Sequence, residues 1–139
     1  MFKKKVQVVI FYIADGQEAE FLLLKMNERR KYYWQNVTGG VEGDENDEQA
    51  AIRECIEETA LNKENIKSLV ASNLEFTFTD QWQNKVIEKV FLLEIKKPWE
   101  VKLDPSEHCS FSWIKERDLT RESVHYKSNY LALMEIINK

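Results

Sequence analysis

The chain has 139 residues and a formal net charge of −4; 43% of its residues are hydrophobic and 12% aromatic. These values fit one globular domain spanning 1–139 with a real core, and they exclude an intrinsically disordered chain. The acidic balance argues against a nucleic-acid polymer or a membrane surface as partner, and no apolar run reaches the roughly 18 residues that cross a bilayer.

The start, MFKKKVQVVIFYI, has the basic and apolar parts of a signal peptide, but no small-residue cleavage site follows, so a strand is expected. Val6–Ile13 is β-branched and apolar apart from Gln7, Asp15-Gly16 signals a turn, and Glu20–Met26 reads as the returning strand of a hairpin. Lys3, Lys4 and Lys5 are expected to be solvated. Asn27–Tyr33 reads as a loop carrying Arg29, Arg30 and Lys31, followed by Trp34 and Gln35. Two readings stay open there: a solvated basic loop over buried aromatics, or a substrate wall. Guanidinium forks suit phosphate oxygens, and aromatic faces stack on heterocycles.

The most informative stretch is Gly39–Leu61, GGVEGDENDEQAAIRECIEETAL. Glu54, Glu57 and Glu58 are spaced i, i+3, i+4, which on a helix puts three carboxylates on one face. Such like charges repel by roughly 0.2–0.5 kcal/mol per pair. A divalent cation reverses that cost, because hard cations take carboxylate oxygens. Ala51, Ile52, Cys55 and Ile56 form an expected apolar stripe on the other side. Arg53 precedes Glu57 by four residues and is placed to pair with it. Gly39, Gly40 and Gly43 are three of the chain's four glycines and lead into the helix, with Asp44, Asn46 or Asp47 as candidate caps.

Further along, Ile66–Phe78 and Lys85–Ile95 read as strands separated by a polar loop over 79–84. Asp104–His108 reads as a turn-rich loop, Phe111–Ile114 as a short strand, and His108 as an ordinary loop histidine in preference to a base. From Ser128, the residues Tyr130, Leu133, Met134 and Ile137 recur at helical spacing. The expected class is α/β, with two helices on a mixed sheet. Cys55 and Cys109 show no metal or disulfide spacing, which fits a reducing, cytoplasmic setting.

The residues Gly39, Glu45, Arg53, Glu54, Cys55, Glu57, Glu58 and Leu61 match the pattern G-x5-E-x7-R-E-U-x-E-E-x-x-U, with U apolar. This box, 39–61, resembles that of the Nudix hydrolases. The chain departs from the family in having Ala60 where a glycine is usual, and Gly43 one residue early. The resemblance implies an α/β/α sandwich with the box helix on one side and a C-terminal helix. It implies hydrolysis of a nucleoside diphosphate linked to another group, with Mg²⁺ or Mn²⁺. Carried over by residue, it makes Glu54, Glu57 and Glu58 metal ligands, one of them or another carboxylate a base, and Arg53 their orienting partner. Glu45 becomes a supporting partner of helix and loop, and a backbone carbonyl near Thr38 or Gly39 completes the metal shell. Arg29, Arg30, Trp34, Gln35, Gly39 and Gly40 are the substrate-binding candidates.

The flanks WQNVTG (34–39) and SEHCSFSW (106–113) are similar to those of bacterial dihydroneopterin triphosphate pyrophosphohydrolases. That resemblance implies release of diphosphate from a pterin triphosphate and adds Glu107 to the metal and catalytic set. A purine looks like a pterin to an aromatic wall, so cleavage of a normal, oxidised or non-standard nucleoside triphosphate is the nearest alternative. A binding module that holds a nucleotide uncleaved is the alternative of another class, but all three box carboxylates are present. An EF-hand is excluded, since Asp44–Glu48 lacks the alternating ligands and central glycine.

Overall fold

The computed structural model describes residues 2–138. Strand β1 (Phe2–Ile13) is buried on both faces from Val6 to Ile10, as a continuous apolar run requires of a central strand. Gly16 takes a positive φ of 67° in the turn that follows, and β2 (Ala19–Met26) returns antiparallel with Phe11 opposite Phe21. The remaining elements are β3 (Trp34–Gln35), β4 (Val37–Gly40), α1 (Asp47–Thr59), β5 (Ile66–Thr79), β6 (Lys85–Ile95), β7 (His108–Lys115) and α2 (Lys127–Ile137).

Among the described residues seven strands form one mixed sheet, in the order β3-β2-β1-β6-β5, with β4 on β1 and β7 on β2. Of these described strands only β1 and β6 run parallel, from Phe2 opposite Lys85 to Phe11 opposite Glu94. The β1–β2 pairing covers Phe11–Ile13 alone; towards its start β1 pairs instead with β4, Val6 opposite Gly39 and Lys5 opposite Gly40. This divergence brings the glycine strand to the sheet opening beside α1. Lys3, Lys4 and Lys5 lie in the opening of β1, with Lys3 and Lys4 more than half exposed, as expected of solvated lysines.

Side-chain alternation divides the core in two. Val6, Val8 and Ile10 face Ala50, Ala51 and Cys55 of α1. Val9 and Phe11, with Phe21 and Leu23, face Ala132, Leu133 and Ile136 of α2. The result is the expected α/β/α sandwich.

Asn46 caps α1: its side chain accepts from the Gln49 N–H at 2.8 Å, and the Gln49 side chain accepts from the Asn46 N–H at 2.8 Å. The buried face of α1 is Ala50, Ala51, Glu54, Cys55 and Thr59, so the apolar stripe is rotated from expectation. Ile56 is 37% exposed, because the small residues face the sheet and let the helix pack close. The helix ends at Ala60 with φ 58°, in the left-handed conformation that glycine adopts more cheaply.

Candidate active site

Arg53 is the hub of the site. It leaves α1 a quarter exposed, and its pKa is raised by the hydrogen bond to Glu45, opposed by burial and helped by Glu57 and Glu54. Its Nη2 donates to Glu45 Oε1 and to the Gly40 carbonyl, both at 2.7 Å. Its Nε donates to Glu45 Oε2 at 3.0 Å, and its Nη1 to Glu54 Oε1 and Glu57 Oε1, each at 2.9 Å. One guanidinium thus ties the helix to the glycine strand. Glu45 also accepts the Glu42 N–H at 2.8 Å, and Arg53 holds its carboxyl below the ordinary range.

Glu54 packs inward against Gly39. A Cβ at residue 39 would stand 1.9 Å from the Glu54 carboxyl carbon, so this approach requires glycine. Burial pushes the Glu54 pKa up to about 7; Arg53 opposes the rise, and the neighbouring charges of Glu58 and Glu57 add to it. Burial likewise raises the thiol of Cys55, which faces the core as an inert hydrophobe.

Glu58 is held from another element. His108, at the start of β7 and 5% exposed, brings Nδ1 within 2.8 Å of Glu58 Oε2. Neither atom has a well-aligned hydrogen-bond partner. The reading of His108 as an ordinary loop histidine is therefore corrected. The strand begins at His108, opposite Met26, three residues before the expected start, which turns the side chain inward.

Glu54, Glu57, Glu58, Glu107 and Asp104 line a cleft of about 390 Å³, with Arg53, Gly39 and Gly40 on its wall. Asp104, which sequence reasoning missed, is held below the ordinary range by the Ser106 hydroxyl and N–H. Lys5, Arg30, Gln35, Thr38 and Gly40 line both this cleft and a larger one of about 1210 Å³, so the two are contiguous. Arg29 and Trp34 line neither. Arg29 lies in the exposed turn Glu28–Arg30, and Trp34 packs against the α2-side core.

Among the described residues no three His, Cys, Asp or Glu side chains form a group that would hold a metal ion as they stand. The reason is visible: Arg53 engages Glu54 and Glu57, and His108 engages Glu58. The chemistry of the donor set nevertheless fits a hard divalent cation. The wall is rich in carboxylates, Glu57 is half exposed, and the buried Glu58 Oε2 has the poorly aligned His108 Nδ1 beside it.

The NUDIX domain model matches residues 3–133. The chain belongs to the NUDIX hydrolase family. Its relatives include the dihydroneopterin triphosphate diphosphatase of Haemophilus influenzae, 30% identical over 120 residues, which cover 79% of this chain and 73% of the relative. The NUDIX fold also matches the E. coli dihydroneopterin triphosphate pyrophosphohydrolase at TM-score 0.80 and 24% identity, over 100% of this chain and 99% of that one. A C. elegans Ap4A hydrolase in a binary complex matches at TM-score 0.74 and 25% identity, over 94% and 93% of the two chains. No helix among the described residues is long and apolar enough to cross a membrane.

Proposed function

We propose that this NUDIX hydrolase cleaves dihydroneopterin triphosphate to dihydroneopterin monophosphate and diphosphate, with Mg²⁺ or Mn²⁺ as cofactor. The observation that carries the reading is the continuity of the two clefts, a carboxylate-lined one joined to a larger one across Lys5 and Arg30. A triphosphate would lie across the junction, with its anionic tail toward the carboxylates and its ring in the larger space. The 30% identity to the H. influenzae enzyme supports the choice of pterin.

Glu54, Glu57, Glu58 and Glu107 would hold the cation, with the backbone at Thr38–Gly39 beside them. The cation, when bound, would neutralise phosphate charge and lower the pKa of an attacking water. Arg53 keeps Glu54 and Glu57 in place, and Glu45 keeps Arg53 in place. A carboxylate of this set would accept the proton of the water, and Arg30 and Lys5 would pair with phosphate oxygens at the junction. Water adds to phosphorus, the bridging P–O bond breaks, and diphosphate leaves. Positioning and charge stabilisation are most of the work in phosphoryl chemistry.

The 25% identity to an Ap4A hydrolase favours one second reading, a nucleotide substrate. The test is diphosphate and phosphate release with Mg²⁺ from dihydroneopterin triphosphate, the common nucleoside triphosphates, an oxidised guanine triphosphate, a dinucleoside polyphosphate and ADP-ribose. A pterin preference in kcat/KM of about tenfold or more, roughly 1.4 kcal/mol, is expected. Equal rates, or a nucleotide preference, would replace this reading with the second.

A further inference from the structure

The phosphate chemistry leaves a carboxylate unused on the wall of the larger cleft. Glu88 of β6 lines that cleft and is 4% exposed. It lies opposite Lys5 in the parallel β1–β6 register, but among the described residues it forms no ion pair. Burial raises its pKa, against the pull of Gln7 and Lys5. A carboxylate kept this dry with so little compensation is costly for the fold alone.

Its surroundings hold it as an acceptor. Gln7 Nε2 donates to Glu88 Oε1 at 2.9 Å. Gln7 is wholly buried, and its own oxygen already accepts from Asn36 Nδ2 at 2.8 Å. The Asn36 N–H in turn donates to Asn129 Oδ1 in the first turn of α2 at 2.7 Å. This line of buried groups joins α2 to β6. Because Asn36 occupies the Gln7 oxygen, only the Gln7 nitrogen faces Glu88. A carboxylate offers about four acceptor positions, so most remain for a ligand. Around the same cleft stand Phe76, Phe78 and Tyr126, whose faces suit a flat ring.

We propose that Glu88 is the specificity-determining acceptor for the substrate's ring, selecting a heterocycle that presents a ring N–H and an exocyclic amino group side by side. A carboxylate meets two such parallel donors with both oxygens. Guanine and reduced pterins carry that edge. Adenine and cytosine place a ring acceptor beside the amino group, and uracil flanks its single N–H with two carbonyls. The proposal rests on the reading of the smaller cleft as the triphosphate site.

GTP and ITP isolate the contact, since they differ only in the 2-amino group. With Mg²⁺, the unaltered enzyme is expected to favour GTP over ITP by about tenfold or more in kcat/KM, equivalent to about 1.4 kcal/mol. Glu88→Gln keeps an oxygen for Gln7 and so preserves the fold. It should bring the two substrates to within about threefold, chiefly through KM for GTP. A ratio near one in the unaltered enzyme overturns the proposal even if the variant does not fold, and so does a ratio that Glu88→Gln leaves unchanged. Calorimetry with GDP and IDP separates this proposal from the hydrolase reading. If GDP is preferred and Glu88→Gln abolishes the preference while no triphosphate turns over, Glu88 keeps its role and the phosphate reading fails. If triphosphates turn over but GDP and IDP bind alike, or neither binds, the role of Glu88 fails.

Discussion

Replacing Gly39 by alanine should disable the enzyme while leaving it folded. The backbone at Gly39 lies outside the left-handed region, so alanine is conformationally acceptable there. The obstacle is Glu54: an added Cβ would meet its carboxyl carbon at 1.9 Å and its oxygens at 2.2 and 2.3 Å. Non-bonded carbons sit about 3.5–4.0 Å apart, so the carboxyl must retreat by roughly 1.5–2 Å. Its bond to Arg53 Nη1, 2.9 Å, would be lost with that movement. A misplacement of about 1 Å near a reacting centre can cost about 10²-fold, or ~2.7 kcal/mol. Diphosphate release from dihydroneopterin triphosphate at saturating Mg²⁺ should therefore fall at least about that far in kcat. Thermal melting should change little, because the end of one side chain gives way and not the backbone. Turnover within about threefold of the unaltered enzyme would refute the reasoning, and so would loss of the fold.

Arg53→Lys should lower kcat by about 10²-fold, because one ammonium cannot span Glu45, Glu54, Glu57 and the Gly40 carbonyl; near-normal turnover would show that the hub is dispensable. Ala60→Gly should raise stability by about 0.5–1 kcal/mol and the melting temperature by about 2–4 °C, as the left-handed strain is relieved against glycine's larger unfolded-state entropy. An unchanged or lower melting temperature would contradict that. For Glu88, a raised carboxyl pKa means the folded chain binds more protons than the unfolded one just above the ordinary carboxylate value, so stability falls as pH rises through that window. The melting temperature of Glu88→Gln minus that of the unaltered chain should therefore grow as pH rises above the ordinary carboxylate value; a difference independent of pH would count against the buried charge.

The box was legible because its chemistry is local. Glu54, Glu57 and Glu58 are neighbours by helical spacing, and the pairing of Arg53 with Glu57 follows from i, i+4 placement. The start of α1 was legible as a short list of caps, from which the Gln49 side chain selects Asn46. The unpredicted features depend on tertiary partners. The opening of β1 reads as strand, but nothing near Lys3–Lys5 announces that its partners are β4 and β6. His108 becomes a partner of Glu58 only because β7 pairs with β2 as far as Met26. Gly39 reads locally as part of a glycine lead-in to the helix, whereas its requirement for glycine comes from the approach of Glu54. Glu88, Gln7, Asn36 and Asn129 are scattered through the chain, so no periodicity links them before the sheet forms.

The central claim is that the carboxylates of α1 form a hydrolytic centre, and Glu57→Gln tests it most directly. Glu57 is half exposed and bonded to Arg53, so the change should be tolerated by the fold. Diphosphate release from dihydroneopterin triphosphate with Mg²⁺ should fall by about 10²–10⁴-fold while ligand binding persists. Unimpaired turnover would place the chemistry elsewhere. Retained binding in a protein that never released diphosphate, with Glu57 or without it, would mark a module that holds its ligand uncleaved.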